Sequence, residues 1–505
     1  MITFFIGLSI LLVGYLTYGR FIESQFKPDP NRATPAVKVN DIYDDKQALS
    51  HKSCLLLHFL HIAGAGPVVG VILGAKFGPI VFLIIPIGNI LGGAVKDYFS
   101  GMVSIRNKAG TFLTVSKKFL SPKLAVLATT FVVIALFALA TSFTNVCAGI
   151  LNSNKIMNFS DFISIENPFI LWIFILFLYY TLSSFFPISS FTSKISYLFG
   201  VILIISTVSI LFFGAGYLDK LPEFNVKDFA SNFMQHPQHQ PILPMLFVTI
   251  ACGIISGFHS LQNPITAGIE SNEKNGRQTF YGMMVAEGFL GMIWAAVGVL
   301  GYSLYPELLS VNNGPKIIST ATRGIVTNPI LAEIILISVV VLAVTTADAA
   351  LRTLRLLISD IFKFQQKSSE DRFLLCLPIL GICAIMVFWS NITDGFVVMW
   401  NYFSLTNQMI AVISLAISLC YMRARKKSAI YLLLPMAFLC FVVFLYLFWV
   451  SPEQIAGAPK GFGLSYPIAC SMAGLCSFLS CWYCIKHGNT LAELTDQKKF
   501  SPDED

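Results

Sequence analysis

Apolar runs of about 20 residues, the length that carries a helix across roughly 30 Å of hydrocarbon, recur along almost the whole chain between short polar stretches. Thirteen are expected as spans, roughly 2 to 19, 54 to 74, 77 to 103, 125 to 150, 168 to 188, 195 to 216, 241 to 262, 279 to 304, 330 to 358, 373 to 390, 396 to 421, 430 to 449 and 465 to 486. They are too long for barrel strands, and lipid leaves no backbone group a partner outside a helix, so each predicts a helix. The expected fold is an all-α integral membrane protein with about thirteen transmembrane helices. The first run, ITFFIGLSILLVGYLTYG, lacks a basic flank and a small-residue cleavage site, and reads as a retained helix and not a signal peptide.

Two runs are interrupted. The second contains HIAGAGP and the seventh ACGIISGFHSLQNP. Five spans separate their starts, so the chain enters them from opposite sides, the pattern of an inverted repeat. The chain then divides into a first helix and cytoplasmic loop (1–53), a first five-helix repeat (54–216) broken at 62–68, and a second, inverted repeat (241–421) broken at 253–264. Two accessory helices (430–486) and a cytoplasmic tail (487–505), whose last stretch TDQKKFSPDED reads as solvated and mobile, complete it. Either interruption alone is as well explained by helix packing, since Gly and Pro are common in membrane helices. Matching positions in two halves point to a secondary transporter with its site between the breaks.

The breaks have a chemistry of their own. Pro67 has no N–H, which frees the Ala63 carbonyl, and Gly64 and Gly66 let the backbone unwind. A half-helix ending there presents partial negative charge to a cation, and the next one presents amides to an anionic group. The substrate-binding candidates are therefore Gly64, Ala65, Gly66, Pro67 and Gly70 at the first break, Ser256, Gly257 and His259 at the second, and Asn407 and Gln408 in the eleventh span. Ionisable residues inside spans are few. His58 and His61, three apart on one helix face, together with His259 and Glu287, are the proton-coupling candidates. The Ala63 carbonyl with the Thr345 and Thr346 hydroxyls makes an alternative sodium site. Lys96 with Asp97, and Asp348 with Arg352 at i, i+4, read as structural ion pairs.

Composition agrees with this reading. With 55% hydrophobic and 12% charged residues and a mean hydropathy of +0.72, a set of soluble domains is excluded. The net charge of +7 follows the membrane. Six Lys/Arg lie in 20–53, five in 104–124, five from Arg352 to Arg372 and four in 423–429, while the alternate loops hold isolated ones such as Lys155, Lys220, Lys316 and Lys460. The positive-inside rule places the N-terminus outside and the C-terminus in the cytoplasm, and leaves no nucleic-acid patch. The eleven cysteines lie almost wholly within spans; the Cys481/Cys484 pair has no second pair or ligating His at zinc spacing, so packing is expected and no metal. Neither HExxH nor GxSxG occurs, so no catalytic residue is assigned and an enzyme is not expected. No cofactor is expected beyond a coupling ion, H+ or Na+, and the partners are a small-molecule substrate and the bilayer.

Several segments resemble the carbon starvation protein A family of inner-membrane transporters: HFLHIAGAGPVVG, GGAVKDYFSGMVSIRNKAG, TIACGIISGFHSL, FYGMMVAEGF, TTADAALRTLR and NYFSLTNQMIA. The resemblance covers nearly all of the membrane region. It implies uptake of peptides or pyruvate, the latter proton-coupled, on a LeuT-like fold of five-plus-five inverted repeats in a bacterial inner membrane. It carries over the motif positions His58, Gly64, Gly66, Pro67, Gly70, Asp97, Ser256, Gly257, His259, Glu287, Thr345, Thr346, Asp348, Asn407 and Gln408. Two departures fall beside the expected site: QNPITAGIE follows SGFHSL where the family has a Ser-Ser-Gly-Thr-Thr-like run, and Phe403-Ser404 stands where it has Phe-Gly. A channel or nutrient sensor on a transporter fold is the other class open to this sequence.

Overall fold

The computed structural model describes residues 2–38, 48–156, 168–185, 192–225, 236–364, 366, 368–392, 395–452 and 460–503. Every regular element among them is helical. Leaving aside short turns at Pro35–Lys38, Ala215–Lys220 and Pro306–Ser310, in chain order they are α1 (Ile2–Phe26), α2 (His51–Ile62), α3 (Gly66–Phe77), α4 (Val81–Arg106), the short α5 (Phe112–Phe119), α6 (Pro122–Ser153), α7 (Pro168–Phe185) and α8 (Thr192–Gly214). Then follow α9 (Ile242–Leu246, Phe247–Thr249 and Ala251–Ile254 in succession), α10 (Gly257–Ala267), α11 (Glu273–Leu304), α12 (Gly314–Ile325), α13 (Pro329–Phe362), α14 (Ser369–Ile392), α15 (Gly395–Ala424), α16 (Ile430–Trp449) and α17 (Tyr466–Asp496).

Ten helices among the described residues are long and apolar enough to cross a membrane, and the bent pair α2/α3 makes eleven. The thirteen expected runs differ from these by α7, which is shorter, and by the α9/α10 pair, which is interrupted. The protein is a multi-pass integral membrane protein. Local chemistry sets many helix starts: Ser50, Thr111, Ser121 and Asn328 each accept a hydrogen bond from a first-turn N–H, and Pro122 and Pro329 occupy positions where no N–H is needed. The core is built on α6 against α13 and α15, whereas α1, α8 and α17 turn apolar side chains such as Leu12, Phe212 and Phe478 outwards, as lipid allows.

Both interruptions are real but narrower than expected. α2 and α3 meet at 51° across Ala63–Ala65, with the Gly64 N–H folded back on the Ile62 carbonyl at 2.7 Å. Pro67 lies in the first turn of α3, where a missing N–H is harmless. The second break is Ile255–Ser256, both outside the helical region, with Ser256 extended. Pro264, expected to be part of it, sits inside α10.

The tail also differs from expectation. α17 runs on to Asp496, and beyond it Phe500 meets Phe119 edge-on with centroids 5.8 Å apart. Asp503 accepts the Tyr421 hydroxyl at 2.7 Å and lies 3.3 Å from Arg32 and 3.4 Å from Arg106. The tail is docked because it carries a ring and a carboxylate that match an aromatic and basic face.

Candidate functional site

The two broken helices are pressed together where their glycines fall. A Cβ at Gly66 would collide with Cys252, one at Gly70 would stand 2.6 Å from the Thr249 carbonyl oxygen, and one at Gly253 would stand 2.9 Å from a Val71 methyl. α3 therefore packs on α9, and α2 packs on α10. Gly66 and Gly70, expected to bind substrate, serve this close approach.

At the second break the backbone is satisfied by side chains from distant helices. Asn407 Oδ1, on α15, accepts the Phe258 N–H at 2.9 Å and the Ser256 hydroxyl at 3.2 Å, which makes it the N-cap of α10 supplied from another helix. Lys96 Nζ, on α4, donates to the Ser256 carbonyl and to Ser260 Oγ at 3.2 Å. An ammonium and a helix N-terminus thus converge on two residues of unwound chain, an environment that favours an anionic group.

From there a line of buried ionisable groups runs across the protein. Lys96 Nζ is 2.6 Å from Asp97 Oδ1, Asp97 Oδ2 is 2.7 Å from His259 Nδ1, and His259 Nε2 is 3.4 Å from Glu287 Oε2. All four are fully buried. Neither Glu287 oxygen has a hydrogen bond that meets ordinary geometry; the His259 contact is longer than such a bond. Asn263 Nδ2 holds the Asp97 carbonyl at 3.2 Å. The expected Lys96–Asp97 pair is present, and it has a second task at the break that adjacency in sequence did not reveal.

The remaining candidates lie around this line. His58 Nδ1 bonds Thr266 Oγ1 at 2.8 Å and His61 Nδ1 bonds Gln262 Nε2 at 2.7 Å, so both stitch α2 to α10. Thr345 Oγ1 donates to the Leu60 carbonyl at 2.8 Å, and Thr346 Oγ1 to the His61 carbonyl at 2.9 Å. The two hydroxyls of the expected sodium set thus meet the end of α2, but at Leu60 and His61 and not at Ala63. Gln408 donates to the Phe247 carbonyl at 2.6 Å, away from the second break. Asp348 and Arg352 stand 3.9 Å apart, and Arg352 also donates to the Ser183 carbonyl at 3.1 Å. Gln262 and Asn263 went unnoticed in the sequence; their one signal is a polar face on α10, spaced to meet α2 and α4.

The family described as "Carbon starvation protein CstA" matches residues 1–171, 167–324 and 310–445. An uncharacterized membrane protein of Haemophilus influenzae is 34% identical over 343 residues, 60% of this chain and 91% of that protein. The peptide transporter CstA of Campylobacter jejuni is 24% identical over 529 aligned positions, 82% of this chain and 74% of that one. The pyruvate/proton symporter BtsT of Escherichia coli is 26% identical over 359 residues, 59% of this chain and 49% of that one. Among solved structures, a manganese transporter of Eremococcus coleocola superposes with a TM-score of 0.59 at 15% identity, covering 92% of this chain and all of that one, a likeness of fold alone.

Proposed function

Since the chain belongs to the carbon starvation protein CstA family of secondary transporters, and is not an enzyme, we propose that it imports a small carboxylate-bearing nutrient, pyruvate or a short peptide, by proton-coupled alternating access. The proposal includes thirteen spans arranged as two inverted LeuT-like five-helix repeats, in a bacterial inner membrane with the N-terminus outside and the C-terminus in the cytoplasm. The observation that carries it is the second break: Asn407 Oδ1 occupies the N-terminus of α10 beside the Lys96 ammonium.

A substrate carboxylate takes the place of that amide oxygen. It is drawn by the same Phe258 N–H and Ser256 hydroxyl and by Lys96, whose charge it meets with a full negative charge where Asn407 offers only a dipole. Lys96 then shares its attraction between the substrate and Asp97. The weakened hold on Asp97 passes to His259 and Glu287, so the proton carried by this line is coupled to occupancy of the break. The relatives named as a peptide transporter and as a pyruvate/proton symporter support both candidate substrates.

A sodium-coupled variant of the same cycle is supported by Thr345 and Thr346, whose hydroxyls gather on the carbonyls that end α2. Uptake of labelled pyruvate and labelled dialanine into proteoliposomes, with proton and sodium gradients imposed separately, tests all of this. Accumulation of either substrate driven by the proton gradient is expected; no accumulation under either gradient overturns the proposal, and accumulation under sodium alone replaces the coupling ion.

A further inference from the structure

At the Lys76 end of α3 a cavity of about 90 Å³ opens among α3, the segment leading into α9, the start of α15 and Tyr446. At roughly 10–15 Å³ per water-sized group, it holds the volume of a three-carbon carboxylate more readily than that of a peptide. Among the described residues that line it there is one formally charged side chain, Lys76, and no carboxylate.

Two donors there are already oriented. Lys76 Nζ donates to the Val311 carbonyl at 2.8 Å and to Asn312 Oδ1 at 3.0 Å, which uses two of the three donors of an ammonium. His236 Nδ1 accepts the Gln238 N–H at 3.2 Å, so the neutral ring carries its proton on Nε2. Its ring lies against Phe77 with centroids 4.6 Å apart, which fixes its plane. Burial, and next the charge of Lys76, lower the His236 pKa to about 4. At neutral pH the imidazole is therefore an uncharged donor and the cavity keeps the single charge of Lys76.

The cavity also leads somewhere. Trp400 lines it and stacks on Phe143 at 6.2 Å, Phe143 meets Phe403 edge-on at 5.4 Å, and a Cβ at Gly64 would stand 2.7 Å from Phe143. Three rings thus separate the cavity from the first break.

We propose that this cavity is a first docking site for a small monocarboxylate anion, held by Lys76 and the His236 Nε2–H, and that the Trp400, Phe143 and Phe403 rings are the gate between it and the first break. This deepens the carboxylate-import reading above and rests on it for the direction of movement. Charge selects the ligand here: a monocarboxylate is attracted, while a zwitterionic peptide brings an ammonium towards Lys76.

Trp400 provides a direct readout. In purified full-length protein in nanodiscs, pyruvate is titrated while tryptophan fluorescence is followed, and the W400F trace is subtracted to isolate Trp400. A saturable pyruvate signal is expected, with methyl pyruvate, the uncharged ester, giving none. K76M moves the midpoint up by roughly tenfold or more, K76R stays near the wild type, and H236Q gives a smaller shift in the same direction. A Trp400 trace that ignores pyruvate, an equal response to methyl pyruvate, or a midpoint unchanged in K76M overturns the proposal. Uptake by the same proteins reconstituted into sealed proteoliposomes separates the two readings: Lys76-dependent binding without accumulation defeats the import reading alone, and accumulation without Lys76-dependent binding defeats the docking site alone.

Discussion

Lys96 holds two structures at once, a carbonyl of the unwound chain and the carboxylate of its own neighbour. A buried ion pair adds little over a well-packed apolar pair, but removing one partner strands the other charge, at about 3–5 kcal/mol. K96M is therefore expected to lose that much stability, read as a large fall in the thermal unfolding midpoint in detergent. K96M/D97N, with no stranded carboxylate, recovers part of the stability and none of the transport. Equal midpoints for K96M and the wild type would show that the pair is not a support of the fold. Glu287 tests the other end of the line. E287Q keeps its shape but not its proton, so it is expected to abolish accumulation under a proton gradient while substrate exchange at equal pH persists; retained accumulation would remove Glu287 from the coupling path.

At the scale of the helix, the close approach of α10 to α15 depends on Gly257. A Cβ there would collide with the Asn407 carbonyl oxygen and stand 2.7 Å from the Ala411 nitrogen, and backbone atoms in the middle of a helix do not yield. G257A is expected to cost at least ~1–3 kcal/mol of overpacking and to displace Asn407 from its cap. G291A, whose Cβ would have nothing nearer than 3.8 Å, is expected to match the wild type in folded yield by fluorescence-detected size exclusion. The two breaks were legible in the sequence because Gly and Pro disturb a helix locally, and so was the all-helical membrane architecture, because lipid demands the same apolar length of every span. The exact unwound residues were not legible. Pro264 looks like a breaker, yet the chain unwinds at Ser256, whose carbonyl is claimed by Lys96 and whose hydroxyl is claimed by Asn407, both more than a hundred residues away in sequence. Long-range partners decided the matter, and no local pattern encodes them. The same holds for Gly66 and Gly70, whose need for a small side chain comes from α9.

Across the whole molecule, the docked tail and the second break share one element. α4 carries Lys96 and, ten residues or about 15 Å further along, Arg106, which binds Glu273 at 2.8 Å and 3.0 Å at the entrance to α11 and approaches Asp503 of the tail. Burial alone would raise the Asp503 pKa, but the Tyr421 hydroxyl and the Arg425, Arg106 and Arg32 guanidiniums outweigh it and hold the carboxyl below its ordinary value. A folded-state pKa lowered in this way contributes stability above the unfolded value of about 3.9, and the contribution disappears as pH falls through the lower, folded value. The contact is partly exposed and screened by solvent, so ~0.5–1 kcal/mol is a reasonable size for it, which corresponds to roughly 2–5-fold in the opening equilibrium of the tail. Hydrogen exchange of residues 497–503 measures that opening directly. D503N is expected to speed exchange at neutral pH by that factor, and the wild type to show the same gain, corrected for intrinsic rates, only in acid below the ordinary carboxylate range. D503N, having no carboxyl to protonate there, shows no further step. Equal exchange in the two proteins at neutral pH would mean that Phe500 on Phe119, and not the carboxylate, holds the tail against the ends of α4 and α15.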